Sequence, residues 1–254
     1  MKRSLRILLI SLGALVVLIL VVVANVGLSR STVSGIEVKI RYGGTPPVVD
    51  AQTVRDSVVA AMPGLLQCRV GQVDRQGVVE AASRVPYLKA ISASTSMSGR
   101  VVIRATQRRP IARLFHSGKQ YYFDDAGVLM PAVSADSLNL LVAGGDFGQP
   151  LHIDSLDIQV ADLWKLASFL DSQRKYGDLI DQIYSERGGN LMIVPKLGNH
   201  VVELGSVDGL DDKFSALLAF YLKGMPRAGW DSYSRISLKY KGQVVATKRN
   251  ARQW

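Results

Sequence analysis

An uncharged stretch near the N-terminus is the feature that most constrains this chain of 254 residues. Residues 7–29 carry no charge over 23 positions, and sixteen of residues 7–28 are Leu, Ile or Val. A helix rises about 1.5 Å per residue, so about 20 residues cross a hydrocarbon core roughly 30 Å thick. The stretch therefore predicts a single transmembrane helix over residues 7–29.

A cleaved signal peptide is the alternative to a retained anchor. Signal peptides have an apolar core of about 7–15 residues that ends at a small-x-small cleavage site. The apolar run here is longer, and Ser29-Arg30-Ser31 is a poor match to such a site. The sequence therefore favours a helix that stays in the membrane.

The charges on either side of this stretch predict its orientation. Lys2, Arg3 and Arg6 precede it, whereas Arg30 alone follows it directly. Because positive residues are retained in the cytoplasm, residues 1–6 are expected there as a short tail, with the rest of the chain outside. The formal net charge is +10, but on the outer side of the membrane this charge does not indicate a nucleic acid. It favours anionic lipid or an acidic partner instead.

Residues 34–110 are predicted to form a first exported domain with the element order β-α-α-β-β. An opening strand is predicted from alternating apolar and polar residues. Asp50 and Asp74 occupy the N-cap positions of two amphipathic helices. Two strands are predicted to follow at Leu88–Thr95 and Arg100–Gln107. Packing both helices on one face of a three-stranded sheet would bury their apolar faces.

Residues 111–250 are predicted to form a second, β-rich domain with helices on one face, so that the whole exported part is of the α+β class. The domain begins with an aromatic hairpin around an Asp124–Gly127 turn. Apolar periodicity predicts a helix capped by Asp157 and another over residues 211–223. A single late strand is predicted from the alternation of Ile236, Leu238, Tyr240 and Val244.

The polar residues form no recognisable catalytic constellation. His116, His152 and His200 are isolated, and the sequence has no metal-ligand spacing or phosphate-binding glycine loop. Ser172 and Lys175 match the SxxK motif of cell-wall transpeptidases, but the accompanying motifs occur in the reverse order. The sequence therefore predicts a binding protein that needs no cofactor or metal, rather than an enzyme.

Three segments carry a more specific pattern. Val101–Ala112 ends in a charged residue, Arg, Pro and an apolar-Ala pair, and Tyr122–Pro131 reads aromatic-Asp-x-x-Gly-x-apolar-x-Pro. Ile236–Val245 has the form of a closing strand. Together with the order of tail, span and two domains, these segments resemble the bacterial cell-division family FtsQ/DivIB, whose first exported module is a POTRA domain. The family usually has an acidic residue before the Arg, whereas Arg108 stands there in this chain and removes one member of a local ion pair.

The resemblance implies a non-enzymatic scaffold of the division machinery that links early and late division proteins. It implies a single-pass protein of the cell inner membrane, at the division septum, with the bulk of the chain in the periplasm. Upstream division proteins would bind the POTRA-like domain, where Arg100–Gln107 is the expected sheet edge. A POTRA-bearing export or envelope-assembly factor is the alternative, with a cell-wall enzyme further behind.

The resemblance also implies a partner at the C-terminal strand, the FtsB subunit of an FtsB–FtsL pair. A terminal strand exposes backbone groups to which an incoming strand can bind. The alternative for the side chains there is an ordinary place in the core or on a solvated face. The six expected contact residues are Tyr240, Lys241, Gly242, Gln243, Trp230 and Tyr233.

Overall fold

A computed structural model describes residues 12–19, 31–133, 138–145, 147 and 158–249. The chain divides into two units, Met1–Arg108 and Arg109–Trp254. Helix α1 covers residues 12–19, and the remainder of the predicted span over residues 7–29 lies outside the described residues. No helix within the described ranges has the length and apolar character that crossing a membrane requires.

The first unit has the predicted element order β-α-α-β-β. β1 (Gly35–Arg41), β2 (Leu88–Thr95) and β3 (Arg100–Gln107) form a three-stranded sheet in the order β1-β3-β2. β1 is parallel to β3, and β2 is antiparallel to it. A parallel pair needs a long connection between its strands, which here contains α2 (Ala51–Ala61) and α3 (Arg75–Ser83).

Both helices of this unit begin at the caps that the sequence predicts. Asp50 accepts a hydrogen bond from the Thr53 N–H at 2.7 Å, and Asp74 accepts one from the Gly77 N–H at 3.0 Å. These carboxylates satisfy backbone donors that have no partner within the first helical turn. The core between helices and sheet is aliphatic and includes Val54, Val58, Val78, Ala82, Val101 and Ile103.

The prediction that Arg100–Gln107 forms a sheet edge is wrong. This strand, β3, is the central one, since it pairs with β1 on one side and with β2 on the other. Insertion of β1 beside β3 joins segments about 65 residues apart in the sequence, as in the pair Gly35 and Arg100. The edges of this sheet are therefore β1 and β2.

The second unit contains a nine-stranded mixed sheet. In chain order the strands are β4 (Pro110–His116), β5 (Lys119–Asp124), β6 (Leu129–Pro131), β7 (Leu141–Gly145), β8 (Ile180–Ser185), β9 (Leu191–Pro195), β10 (Val201–Gly205), β11 (Tyr233–Ser237) and β12 (Val245–Lys248). Their spatial order is β12-β11-β10-β9-β8-β7-β4-β5-β6. Neighbouring strands are antiparallel except in the pairs β4–β7, β7–β8 and β10–β11.

Two long helices of this unit, α4 (Ile158–Ser172) and α6 (Leu210–Lys223), pack together over the sheet. Their rings meet at Phe169 and Phe214, whose centroids are 5.3 Å apart. Both helices contribute to one core, which confirms the mixed α+β class. Asp157, the predicted cap of α4, lies outside the described residues. The short helices that follow the long ones are α5 (Arg174–Gly177) and α7 (Met225–Ala228).

The prediction of a single late strand is wrong. The segment forms β11 and β12, which are antiparallel neighbours joined by a turn at Tyr240–Gln243. The Gln243 N–H donates to the Tyr240 carbonyl at 3.1 Å, and Gly242 has φ +71°. A positive φ at the third turn position is the geometry of a type II turn, which glycine adopts without strain. The alternation of apolar and polar residues therefore continues on both sides of the turn. Gly242 allows the chain to reverse its direction between the two strands.

The aromatic hairpin is confirmed, and a buried carboxylate fixes its turn. Asp124 is fully buried, and its Oδ1 accepts from the Ala126 N–H at 2.9 Å and the Val128 N–H at 2.7 Å. The Trp164 indole donates to the Asp124 carbonyl at 3.1 Å. Gly127, with φ +82°, leaves room for this indole, since a Cβ there would lie 3.3 Å from the ring.

Arg109 forms an ion pair that its immediate neighbours in the sequence did not predict. Its Nη1 and Nη2 atoms donate to the two carboxylate oxygens of Asp171 at 2.9 and 2.7 Å. Asp125 lies 3.5 Å from its Nε. The hydrogen bonds to Asp171 raise the pKa of Arg109 above its ordinary value. The pair joins the residue before β4 to the last turn of α4, 62 residues further along the chain.

We expect Asp124→Ala to lower the free energy of unfolding by about 2 kcal/mol, because two N–H groups of the turn would lose their buried acceptor. Chemical unfolding followed by circular dichroism measures the change. Asp125→Ala, at the exposed neighbouring position, is the control and should lower it by less than about 1 kcal/mol. Equal effects of the two substitutions would contradict this assignment.

Candidate partner-binding edge

β12 is the last strand at one side of the nine-stranded sheet and pairs with β11. The Thr247 carbonyl faces β11, since the Ser234 hydroxyl donates to it at 3.5 Å. Successive strand residues alternate in direction, so Ala246 and Lys248 point their N–H and C=O groups away from β11. Within the described part of the chain, these groups form an open sheet edge.

A groove of about 390 Å³ lies between the start of α6 and the turn that precedes β12. Leu238 is buried on its inner side, and Tyr240 is 60% exposed at its rim. Two carboxylates and three ammonium groups surround it, so the groove is polar as well as aromatic. Its principal lining residues are Asp208, Asp212, Lys213, Lys239, Tyr240, Lys241, Gly242 and Gln243.

Two of the cations near the groove have partners within the fold. The Lys213 ammonium donates to the Leu204 carbonyl at 3.0 Å and to the Ser206 carbonyl at 2.8 Å. Burial lowers the pKa of Lys213, an effect that the charge of Asp208 opposes. Lys239 lies 3.5 Å from the Glu203 carboxylate. The Lys213 side chain therefore links the start of α6 to the end of β10. This contact holds the α6 wall of the groove in place.

The structure brings four of the six predicted contact residues together. Tyr240, Lys241, Gly242 and Gln243 form the turn beside the groove, and each is exposed. They belong to the turn that precedes β12 and not to a strand.

The two predicted aromatic anchors lie at the opposite end of β11. The Trp230 ring centroid is 5.3 Å from that of Tyr221, and the Tyr233 centroid is 5.7 Å from that of Phe220. Both rings are half-buried against α6. They support the packing of the edge and do not line the groove.

A buried histidine lies beneath these anchors. The His200 Nε2 is 2.8 Å from the Tyr221 hydroxyl, and its Nδ1 has no hydrogen-bond partner among the described residues. Burial lowers the pKa of His200, and the charge of Arg249 lowers it further. Burial also raises the pKa of Tyr221. The His200 side chain is thus held in its neutral form within the core of this unit.

Arg249 holds the end of β12 in place. Its N–H donates to the Ser232 carbonyl at 2.9 Å, and its side chain donates to the carbonyls of Asp231 and Tyr233 at 3.3 Å each. The same guanidinium contacts the Asn199 carbonyl. The short edge strand is therefore fixed at one end by Arg249 and at the other by its turn.

Sequence reasoning missed the α6 side of the groove and the edge residues of β12. Asp208 and Asp212 lie at the start of the connection from β10 to β11, and no local pattern shows that this connection lines a groove with the later turn. Val245 and Ala246 follow the glycine turn in β12, where Val245 is 44% exposed. An exposed Val next to a reversal is a signal that could have indicated the edge.

The structure does not assemble the SxxK pair as a reactive site. Ser172 donates to the Phe169 carbonyl within its own helix at 2.8 Å, and the Lys175 ammonium lies 4.5 Å from the Tyr176 ring centroid. Across the described ranges, no three His, Cys, Asp or Glu side chains are grouped so that they could hold a metal ion.

A family model described as FtsQ/DivIB, C-terminal related, matches residues 109–247. This chain belongs to the FtsQ/DivIB family. The match begins at the first residue of the second unit and ends within β12, so it includes the groove and the edge. FtsQ/DivIB is a non-enzymatic family of division proteins, and membership gives this chain a role in cell division. A comparison with curated proteins finds no similar sequence.

We expect the free energy of unfolding to fall as the pH drops below 6.5, the ordinary pKa of histidine in the unfolded chain. The folded state takes up the His200 proton only at lower pH, so protonation favours the unfolded chain. Stability from this group is complete above pH 6.5 and decreases towards the folded pKa. Urea unfolding in detergent micelles across this range should show the slope, and His200→Gln should reduce it. A slope unchanged in the variant would contradict the assignment.

Proposed function

We propose that this FtsQ/DivIB protein is a membrane-anchored scaffold that recruits FtsB/FtsL-like division proteins through its C-terminal edge. The single observation that carries this proposal is the open edge of β12 beside the groove at Tyr240–Gln243. An exposed edge is a template for strand addition unless another element covers it.

Recruitment by strand addition uses the main chain for affinity. An extended segment of the partner would form hydrogen bonds with the outward N–H and C=O groups of Ala246 and Lys248. β12 has only four residues, so few ladder bonds are available. Side chains next to the strand must therefore supply much of the specificity.

The groove supplies side-chain contacts of two kinds. Tyr240 and Val245 are exposed apolar surfaces, 60% and 44% exposed, at either end of the turn. Lys241 and Lys239 place positive charge beside them, whereas Asp208 and Asp212 lie on the α6 wall. A partner strand with an aromatic or aliphatic residue and an acidic neighbour would match the turn side of the groove.

The anchor proposal rests on the uncharged residues 7–29 and on the basic residues that precede them. It places the protein in the cell inner membrane at the division septum, with the N-terminus in the cytoplasm and both units in the periplasm. Confinement to the membrane raises the local concentration of partners that are themselves membrane proteins. Upstream division proteins would bind the first unit, whose sheet edges are β1 and β2.

We expect the full chain to remain in the membrane fraction after alkaline carbonate extraction. The double substitution Leu15→Asp with Leu18→Asp should release it, because each central carboxylate opposes insertion by about 3 kcal/mol. Leu15→Ala with Leu18→Ala is the matched control and should stay in the pellet. Extraction of the unchanged chain would contradict the anchor.

We expect Ala246→Pro to weaken recruitment of FtsB/FtsL-like partners at least about tenfold. Proline removes an outward N–H and fills the space of an incoming strand, while the neighbouring residues retain the bonds to β11. Co-purification from membranes measures recruitment.

The control for this experiment is Ala246→Val, which retains the N–H and suits a strand. It should recruit partners at the unchanged level. Removal of residues 242–247 is the more severe test of the same edge. A chain lacking them that still recruits late division proteins would rule out the proposed mode of binding.

A further inference from the structure

The outer face of the first unit's sheet is strongly basic. Side chains alternate between the two faces of a strand, so the residues of β3 opposite the buried Val101 and Ile103 point away from the helices. Register places the neighbouring residues of β1 and β2 on the same face. The cations of this outer face are Lys39, Arg41, Lys89, Arg100 and Arg104, and Glu37 is its carboxylate.

The charge of this outer face is not balanced by its one acid. Glu37 lies 2.9 Å from the Lys39 ammonium, and this hydrogen bond lowers the pKa of the carboxyl. Four of the five cations are exposed, and Lys89 is half-buried. With five cations and one carboxylate, the face has a formal charge of +4 over three adjacent strands, which is a surface suited to anionic groups.

A bulge in β2 forms a depression on this face. Ala90 has φ +52°, and the register with β3 shifts between Lys89 and Ser92. A cavity of about 400 Å³ opens there, lined in part by Lys39, Arg41 and Arg104. The depression has room for a phosphate-bearing group between the cations.

An exposed apolar residue lies at the end of this sheet where the chain enters the unit. The β2–β3 turn, Ser96–Gly99, carries Met97, which is 87% exposed. The Ser34 N–H donates to the Gly99 carbonyl at 3.0 Å, and the Ser34 hydroxyl donates to the Ser98 carbonyl at 3.0 Å. The turn is thus bound directly to the segment that follows the N-terminal apolar stretch.

The distance between this turn and the apolar stretch is short. Ser34 follows Ser29, the last residue of the uncharged stretch, by five residues. Five residues reach at most about 17 Å when fully extended. If residues 7–29 span a bilayer, Ser34 lies within that reach of the point where the chain leaves it, and the Met97 turn is hydrogen-bonded to Ser34.

We propose that the Met97 turn and the outer face of β1, β2 and β3 dock on the anionic phospholipid headgroups of the bilayer that holds the anchor. Met97 enters the interfacial layer, and Arg100 and Arg104 bind lipid phosphates. This inference rests on the proposed anchor and adds a second, electrostatic contact to it. A lipid surface fits better than an acidic protein, because an exposed methionine beside arginines matches a layer that is apolar below and anionic above.

The experiment uses the full chain in lipid nanodiscs. Met97→Cys in a Cys68→Ser background carries an environment-sensitive fluorophore, and discs contain phosphatidylcholine alone or with phosphatidylglycerol. We expect a blue shift of the emission only in the anionic discs. The shift should disappear at 1 M salt, where the Debye length falls to about 3 Å. A label at Gln52→Cys on α2, in the same Cys68→Ser background, should not respond.

Two double variants test which charges are responsible. Arg100→Gln with Arg104→Gln removes two cations of the outer face and should reduce the ratio of docked to undocked label roughly thirtyfold, about fivefold per arginine. Arg75→Gln with Arg84→Gln removes the same charge from the helix side of the unit and should leave the ratio unchanged. Circular dichroism establishes that each variant is folded.

The outcomes separate this inference from the anchor. A chain that does not enter the discs contradicts the anchor and this docking with it. A chain that enters the discs, but whose label at position 97 has the same emission in both lipids, overturns the docking alone. The basic outer face would then be assigned to an acidic protein partner. Equal losses in both arginine pairs also overturn it, because net charge and not this face would then determine binding.

Discussion

The parallel pairing of β10 with β11 determines what the second unit presents at its C-terminal end. A parallel neighbour requires the chain to cross from one end of the sheet to the other. Helix α6 makes this crossing and packs on the sheet through Phe214, Leu217 and Tyr221. The chain then adds β11, a turn and β12 at this end of the sheet. An edge strand and a groove under the start of α6 arise together from this one connection.

Both proposed contact surfaces obtain their specificity from charge placed beside exposed apolar groups. At the C-terminal edge, Tyr240 and Val245 lie next to Lys239 and Lys241. In the first unit, Met97 lies next to Arg100 at the end of the β2–β3 hairpin. Such surfaces favour partners that are themselves part apolar and part acidic. Part of the net charge of +10 therefore lies on these two surfaces.

Local signals predicted most of the first unit correctly. Asp50 and Asp74 cap their helices because a short carboxylate can accept a hydrogen bond from the first helical turn, a property of adjacent residues alone. The strand order was not predictable in this way, since the pairing of Gly35 with Arg100 depends on how distant segments pack. The expected edge at Arg100–Gln107 was wrong for that reason. The ion pair between Arg109 and Asp171 was not predicted for the same reason, because Asp171 belongs to α4 and is distant in the sequence.

At the candidate site, the sequence determined the chemistry, and tertiary structure decided the geometry. Tyr240, Lys241 and Gly242 were identified from the sequence as contact candidates, and they form one exposed turn. Trp230 and Tyr233 were placed with them because they are near in the sequence, yet β11 holds them at its other end against α6. Periodicity, caps and residue chemistry depend on neighbours along the chain and can be inferred from the sequence. Which strand becomes an edge depends on the packing of all nine strands, which only the folded unit decides.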